Sequence, residues 1–566
     1  MLVNPRDAAI MKFKLADFTP KSFICFREGY SKEYFFSDLF AGVSVGVIAL
    51  PLALAFAIAS GVSPEKGLFT AIIAGFLISL LGGSRVQIGG PTGAFVVIVY
   101  AVIQKHGYDG LALATLIAAV MMILMGLARM GVLLKFIPFP VTTGFTTGIA
   151  FVIVFSQIKD FFGLDTEKVP PQFLEKCNLY CQIAHTWNLW AVLIALFTLA
   201  SIFLLRRFRP RWPGAIIAII LATLIAKFFN FPIETIESKF GEIPRVLPAP
   251  CIPHFSYDLV KKVFPDAITI ALLGAIESLL SAVVADGMVG TKHRSNMELI
   301  AQGLANIGSI IFGGIPATGA IARTSANIRM GAKTPMAGMI HAVTLLLLML
   351  FLAPIAGIIP LSALAGVLVF VAWNMSEIPH FIEILRGHKS DAAILLITFL
   401  LTVLIDLTVA VQVGVILAAV VFLKRMTDKT TVEICQNQVN ENNNEAPEAN
   451  DAELLFRKDI PPDLVIFEIR GPFFYSVADL LDEALLRLDA VPRVFILRLN
   501  KTPLIDATGL HAIKQFSTKC KKKGITFLIS DVNDNYMNLF LKSGFGDTIG
   551  KEHMFKDIES ALIACN

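Results

Sequence analysis

Apolar residues fall in long runs between Leu39 and Arg425, separated by short polar or glycine-containing stretches. A helix needs roughly 20 such residues to cross a bilayer. On that measure the runs predict helical segments near 39–59, 67–81, 94–105, 110–128, 139–163, 187–205 and 213–229. A second set follows near 264–283, 297–312, 320–330, 334–352, 356–372, 390–406 and 408–425. The third and tenth are too short to cross alone and read as half-helices. Together they make a membrane domain over 37–425, preceded by a basic segment, 1–36, without the layout of a signal peptide. After Arg425 the pattern changes. Residues 426–459 include the polar run 436–451 and read as a linker, and 460–566 read as a soluble α/β domain. Within it 465–469, 494–499 and 525–529 predict strands, and 478–488 and 509–521 predict amphipathic helices.

One pattern occurs twice inside the apolar sequence. The first copy is Gly82-Gly83-Ser84-Arg85-Val86-Gln87-Ile88-Gly89-Gly90-Pro91-Thr92-Gly93-Ala94-Phe95, and the second is Gly313-Gly314-Ile315-Pro316-Ala317-Thr318-Gly319-Ala320-Ile321-Ala322-Arg323. Each time an apolar helix stops at a glycine pair, crosses a proline-containing break and restarts. Broken helices are tolerated at membrane depth only where protein or a polar cavity satisfies the freed backbone. Paired breaks in corresponding halves of a chain point to a substrate site at the repeat interface. Ala59-Ser60-Gly61 after segment 1 matches Ala285-Asp286-Gly287 after segment 8. Two repeats of seven spans each must lie inverted relative to one another, because seven is odd.

Composition places the chain among polytopic membrane proteins: of 566 residues, 55% are hydrophobic and 16% charged, with a mean hydropathy of +0.70. The net charge of +4 suggests no nucleic-acid partner. Basic residues cluster in alternate loops: Arg129 and Lys135, Arg206 to Arg211, Lys292 to Arg294, Arg386 and Lys389, and Lys424-Arg425. By the positive-inside rule these loops and both termini are cytoplasmic. Seven cysteines, an odd number, argue against a full disulfide framework.

The breaks carry the candidate chemistry. A helix N-terminus presents unpaired N–H groups and about half a positive charge, so two facing N-termini at Pro91-Thr92-Gly93-Ala94 and Thr318-Gly319-Ala320-Ile321 would hold an anion without any lysine. The alternative is that these glycines only allow tight helix packing. Glu277 lies in segment 8, and an ionisable residue at that depth is a functional candidate. It can bind Na⁺ together with Ser281 one turn on, carry a proton, or form an ion pair with Arg323. Arg323 can in turn supply charge to the anion, hold Glu277 or meet a lipid head group. Phe56 is a candidate apolar wall and Gln87 a polar one. Cys177, Cys181 and His185 share a loop, but their spacing fits no usual zinc pattern, and a plain surface loop explains them. Thr508 sits where a helix begins, as a cap or as a phosphate acceptor favoured by the helix dipole. No Walker loop or catalytic carboxylate pair is present, so the chain reads as neither enzyme nor ATPase and needs no cofactor beyond a coupling ion.

The segments Ala49-Leu50-Pro51-Leu52-Ala53-Leu54-Ala55-Phe56, Gly90 to Ala94, Ala275 to Asp286 and Gly313 to Ala320 resemble the SulP family of anion transporters over nearly the whole chain. That resemblance implies a fourteen-segment membrane domain of two inverted repeats followed by a cytoplasmic STAS domain, in a homodimer in a bacterial inner membrane. It implies secondary active transport by alternating access, with segments 1–4 and 8–11 as a core moving against a gate of 5–7 and 12–14. The family's anion site falls on Phe56, Thr92, Gly93, Ala94, Gly319, Ala320, Ile321 and Arg323, and its coupling acid on Glu277 with Ser281, for Na⁺ or H⁺. Sulfate is the default substrate; bicarbonate, C4-dicarboxylates, exchange and channel-like conduction are the alternatives. The chain departs from animal relatives at Leu52, where they carry glutamine, and from a Na⁺-coupled bicarbonate transporter at Glu277 and Ser281, where that relative has Asp and Thr. Thr508 aligns with the phosphorylated serine of anti-sigma-factor antagonists, so the STAS domain implies a cytoplasmic partner.

Overall fold

The computed structural model of the chain describes residues 17–131, 138–166, 169–170, 172–208, 214–253, 256–405, 407–434, 461, 463–474, 481, 483, 491–545 and 549–565. It divides into two compact units, Met1–Ala418 and Ala419–Asn566. The polar run 436–451, Lys135, Arg209 and Arg211 lie outside the described residues, as does most of the helix expected at 478–488.

In the first unit helices stand at all fourteen expected places: Lys32–Ala59, Pro64–Leu81, Gly93–Leu127 (segments 3 and 4), Phe139–Ser156, Leu189–Phe208, Gly214–Phe228, Tyr257–Val289, Ser295–Ile311, Ile321–Arg329, Met336–Gly357, Leu361–Met375, Lys389–Leu404 and Leu407–Asp428. Helix is the form that satisfies every backbone group within one segment, which lipid cannot do. Among the described residues, eight helical stretches are long and apolar enough by themselves to cross a membrane. Their outer faces stay apolar: Val120, Phe203 and Phe351 are all exposed.

Segments 3 and 4 stand as two helices, as expected: Gly107 breaks the stretch Gly93–Leu127 with a φ of 68° and a ψ of −171°, a non-helical conformation open only to glycine at low cost. The matched triplets differ. Gly61 turns the chain after segment 1, with a φ of 75°. Segment 8 instead runs past Asp286 to Val289 and turns at Gly290. Asp286 accepts from the His293 backbone N–H (2.8 Å) and so holds the loop that follows. Two short helices had no strong signal in the apolar pattern, Phe173–Ile183 between segments 5 and 6 and Ile378–Arg386 between 12 and 13.

The repeats interlock. Segment 9 packs along 2 and along 3 and 4, segment 8 along 3 and 4, and segment 11 along 1 and 2. Segments 5, 6, 7, 12 and 13 pack mainly on one another. Close approach comes from small residues. A Cβ at Gly42 would sit 2.5 Å from the Ala337 carbonyl oxygen, and one at Gly46 would sit 2.9 Å from Thr344.

The second unit carries a four-stranded sheet in the order β3-β4-β5-β6 (Thr431–Ile434, Leu464–Arg470, Val494–Arg498 and Thr526–Ser530). The last three strands are parallel, joined from β5 to β6 by helix Ala507–Lys522, and β3 is antiparallel to β4. Phe467, Phe495 and Phe516 stack in its core with ring centroids 4.6 and 4.8 Å apart. Two expectations need correction. The linker was expected from 426, but segment 14 continues to Asp428 and Thr431-Val432-Glu433-Ile434 pairs as an edge strand, as its β-branched residues favour. Thr508 does not cap its helix. Asp506 does, accepting from the Gly509 N–H (2.7 Å), and Thr508 lies exposed in the first turn.

Candidate functional site

The two breaks meet. Gly89–Gly90 (β1) and Thr318–Gly319 (β2) form a two-residue antiparallel ladder in which Gly89 faces Gly319 and Gly90 faces Thr318. The Ala320 N–H extends it, donating to the Ile88 carbonyl (2.8 Å). Segment 3 starts three residues after β1 and segment 10 two residues after β2, so both half-helices have their N-termini at the ladder and leave it in opposite directions. Gly319 allows the crossing, since a Cβ there would lie 1.6 Å from Gln87 Nε2.

Neither N-terminus is capped by a side chain. Thr92 holds the N-cap place of segment 3 and Ala320 that of segment 10, and neither caps the helix. Alanine has no group to offer. Thr92 spends its hydroxyl elsewhere, donating Oγ1 to Glu277 Oε2 at 2.8 Å. The first-turn N–H groups of both half-helices are thus left to whatever enters.

Glu277 is half-buried and Arg323 is 4% exposed. They form no ion pair. Arg323 donates Nη2 to the Pro91 carbonyl, tying segment 10 to the first break, and its Nη1 has no partner. Ser281, fully buried one turn beyond Glu277, shares a hydrogen bond with Thr324 Oγ1 (3.1 Å), which also accepts from the Ile88 N–H (3.0 Å). Phe56 is buried, and its ring lies 3.5 Å from where a Gly93 Cβ would stand; Ile153 of segment 5 and Met375 of segment 12 close on the same point at 3.2 and 3.4 Å. Gly93 therefore sits where segments 1, 3, 5 and 12 converge. The Ala94 side chain packs inside an apolar cluster, leaving only its backbone for the site, whereas Ile321 is 39% exposed.

Apart from Gln87 and Thr318, a buried polar frame behind the ladder escaped the sequence reading. Glu298 is fully buried in segment 9 and accepts from the Gly83 N–H (2.8 Å), Ser278 Oγ (2.9 Å) and Gln302 Nε2 (2.8 Å). Gln87 donates to the Ser278 carbonyl and hydroxyl, both at 3.2 Å. Asn306 pairs both ways with the Ala317 backbone at 2.8 Å, and Thr318 Oγ1 donates to the Gly274 carbonyl at 2.9 Å. Glu298, Gln302 and Asn306 recur every four residues in an otherwise apolar helix, a polar stripe that was legible. Cys177 and Cys181 are free thiols. Among the described residues no group of three or more His, Cys, Asp or Glu could hold a metal.

The sequence pattern of the sulfate permease family matches residues 35–398 and that of the STAS domain matches 456–561. YvdB of Bacillus subtilis, provisionally named a sulfate transporter, is 42% identical over 93% of this chain and 97% of its own. The bicarbonate transporter BicA of Picosynechococcus is 34% identical over 78% of this chain and 79% of its own. The solved structure of murine Slc26a9, titled an anion transporter in its inward-facing state, superposes with a TM-score of 0.85 at 18% identity, covering 98% of this chain and 95% of that one. With the family pattern over most of the membrane unit, a relative 42% identical over nearly the whole chain and the STAS pattern at its C-terminal end, the chain belongs to the sulfate permease (SulP) family of membrane anion transporters with a C-terminal STAS domain.

Proposed function

We propose that this chain is a secondary active transporter of a small oxyanion, sulfate first, driven by Na⁺ or H⁺ through Glu277. The observation that supports this most directly is the Thr92–Glu277 hydrogen bond. It ties an acid that can take up a cation to the uncapped N-terminus that would take up the anion. The anion would lie between the N-termini at Thr92, Gly93 and Ala94 and at Gly319, Ala320 and Ile321, against Phe56, with Arg323 adding fixed charge. Cation binding at Glu277 and Ser281 would relieve the repulsion between carboxylate and anion. BicA makes bicarbonate the second substrate to test, with C4-dicarboxylates third. Segments 1–4 and 8–11 would move as one body against 5–7 and 12–14, in a homodimer in a bacterial inner membrane. Both termini would be cytoplasmic, with a membrane domain that runs to the end of segment 14 at Asp428 and a STAS domain that takes in the edge strand Thr431–Ile434. Exposed Thr508, in the first turn of its helix, would be the regulatory phosphate acceptor and would control how the STAS domain meets a cytoplasmic partner.

The test is uptake of labelled sulfate, bicarbonate and succinate into proteoliposomes under an imposed Na⁺ or H⁺ gradient. One gradient should drive accumulation, and the coupling ion should raise anion affinity by ~5–150-fold, the usual range of coupling between sites. Glu277→Gln should lose both effects. Flux that only dissipates the anion gradient, unaltered by Glu277→Gln, would instead establish passive conduction.

A further inference from the structure

A cavity of about 670 Å³ opens at the end of the bundle where segments 1, 3 and 5 finish. Its floor is one turn from the central site: Ile58 follows Phe56 by two residues and Val96 follows Thr92 by four. Val152 and Phe155 of segment 5 and Val403 of segment 13 form the facing wall. The cavity therefore separates the helices that carry the half-helix N-terminus from those that close on Gly93.

Its charge is one-sided. Among the described residues, Lys105, Lys159, Lys176 and Lys239 line it against a single acid, Asp160. Lys239 is committed to Asp160 (3.5 Å) and Glu234 (3.0 Å), and Lys159 donates to the Thr166 carbonyl. Lys176 is different. It is only 6% exposed, and among the described residues its ammonium has neither a hydrogen bond nor an ion pair. Its ammonium lies 5.0 Å from the centre of the Tyr100 ring, whose hydroxyl is held by the Val169 carbonyl. A buried ammonium without a counter-charge is costly, and one ring face offsets little of that cost. Burial pushes the Lys176 ammonium down to about 8. The helix Phe173–Ile183 nevertheless turns this residue inward beside buried Tyr180, where an apolar side chain would pack at no such cost.

We infer that this cavity is a second anion site, in which Lys176 binds a small oxyanion at the outer mouth of the route to the half-helices. The inference rests on the transport reading and its topology for the direction of that route, but not for the site itself. An oxyanion supplies the missing counter-charge, and the cavity is large enough to admit it with part of its hydration shell. Protonated Lys176 binds and neutral Lys176 does not, so capture weakens as pH rises through about 8. The other titratable or charged groups around it are Tyr100, Lys105, Lys159, Asp160, Tyr180 and Lys239, with Glu234 behind Lys239.

The experiment uses the full chain in proteoliposomes and pyridoxal phosphate, an anionic aldehyde that forms an imine with a neutral lysine amine and releases water; borohydride then reduces the imine to a stable secondary amine. Mass spectrometry should find Lys176 labelled, and external sulfate or bicarbonate should protect it in a saturable way. Lys176→Met should raise the half-saturation for sulfate presented from that face about tenfold, the scale of one charge-assisted hydrogen bond, and affect sulfate from the opposite face much less. Lys176→Arg should restore the low half-saturation and remove its rise above pH 8. Labelling that neither anion protects would overturn the site, as would equal losses from both faces. Protection is read without transport, so a chain that moves none of the tested anions refutes the proposed function and leaves this site to be judged by labelling alone.

Discussion

The two breaks share a backbone plan and differ in chemistry. Each runs from a glycine pair into one strand of the same ladder and on to a half-helix, with its proline after the strand in the first (Pro91) and before it in the second (Pro316). The first break supplies a hydroxyl, Thr92, that reaches the acid of segment 8. The second supplies a guanidinium, Arg323, that reaches back to the first break's own Pro91. Their supports differ too. The first is held from the opposite repeat, by Glu298 on Gly83 and by Gln87 on Ser278. The second is held by both repeats, through Asn306 and Ser309 of its own and through Lys66, Thr70 and Tyr108 of the first. A common plan with a few different side chains gives one half-helix a link to Glu277 and the other a fixed charge. A repeated scaffold in this way presents an asymmetric pair of side chains.

The strongest way to break this comparison is Glu298→Ala. It leaves three buried donors unsatisfied at about 1–3 kcal/mol each, so thermal unfolding in detergent should show a loss of several kcal/mol, and Glu298→Gln should recover part of it. A loss below about 1 kcal/mol would mean that the first break does not depend on the opposite repeat.

Gly319→Ala comes next. The new methyl overlaps Gln87 and should cost about 1–3 kcal/mol, the usual penalty of overpacking. Combining it with Gln87→Ala should recover stability, and a double-mutant cycle reads the coupling directly. Additive losses would show that the ladder, not Gln87, resists the methyl.

The smallest effect separates the two half-helices. Thr92→Val removes the bond to Glu277, a contact of ~0.6–1.7 kcal/mol in membrane interiors. It should weaken the dependence of anion affinity on the coupling ion, while Thr92→Ser preserves it. Unchanged coupling in Thr92→Val would mean that Glu277 acts independently of the first half-helix.

Much of this was legible in the chain. Fourteen helices stand where apolar runs predict them, and the half-helices begin within a residue of the expected 94 and 320. Glu277 was visible because a lone acid in an apolar run is conspicuous. Glu298 could have been found by the same rule together with its four-residue stripe. The end of segment 8 was misplaced because Asp286-Gly287 reads as a turn, yet the aspartate is used to hold the loop beyond it. Thr508 was misread as a cap because two good N-cap residues stand two apart and only the backbone selects Asp506.

By itself, the sequence determined where helices run, where they break and which loops carry positive charge. These are local properties, set by about 20 apolar residues per crossing and by the conformational limits of glycine and proline. Tertiary structure alone decided that Gly89 meets Gly319, that Arg323 holds Pro91 and leaves Glu277 to Thr92, and that Lys176 is buried without a counter-charge among the described residues. Each of those depends on the register between segments far apart in the chain. That register follows from the packing of one repeat against the other, and no local pattern encodes it.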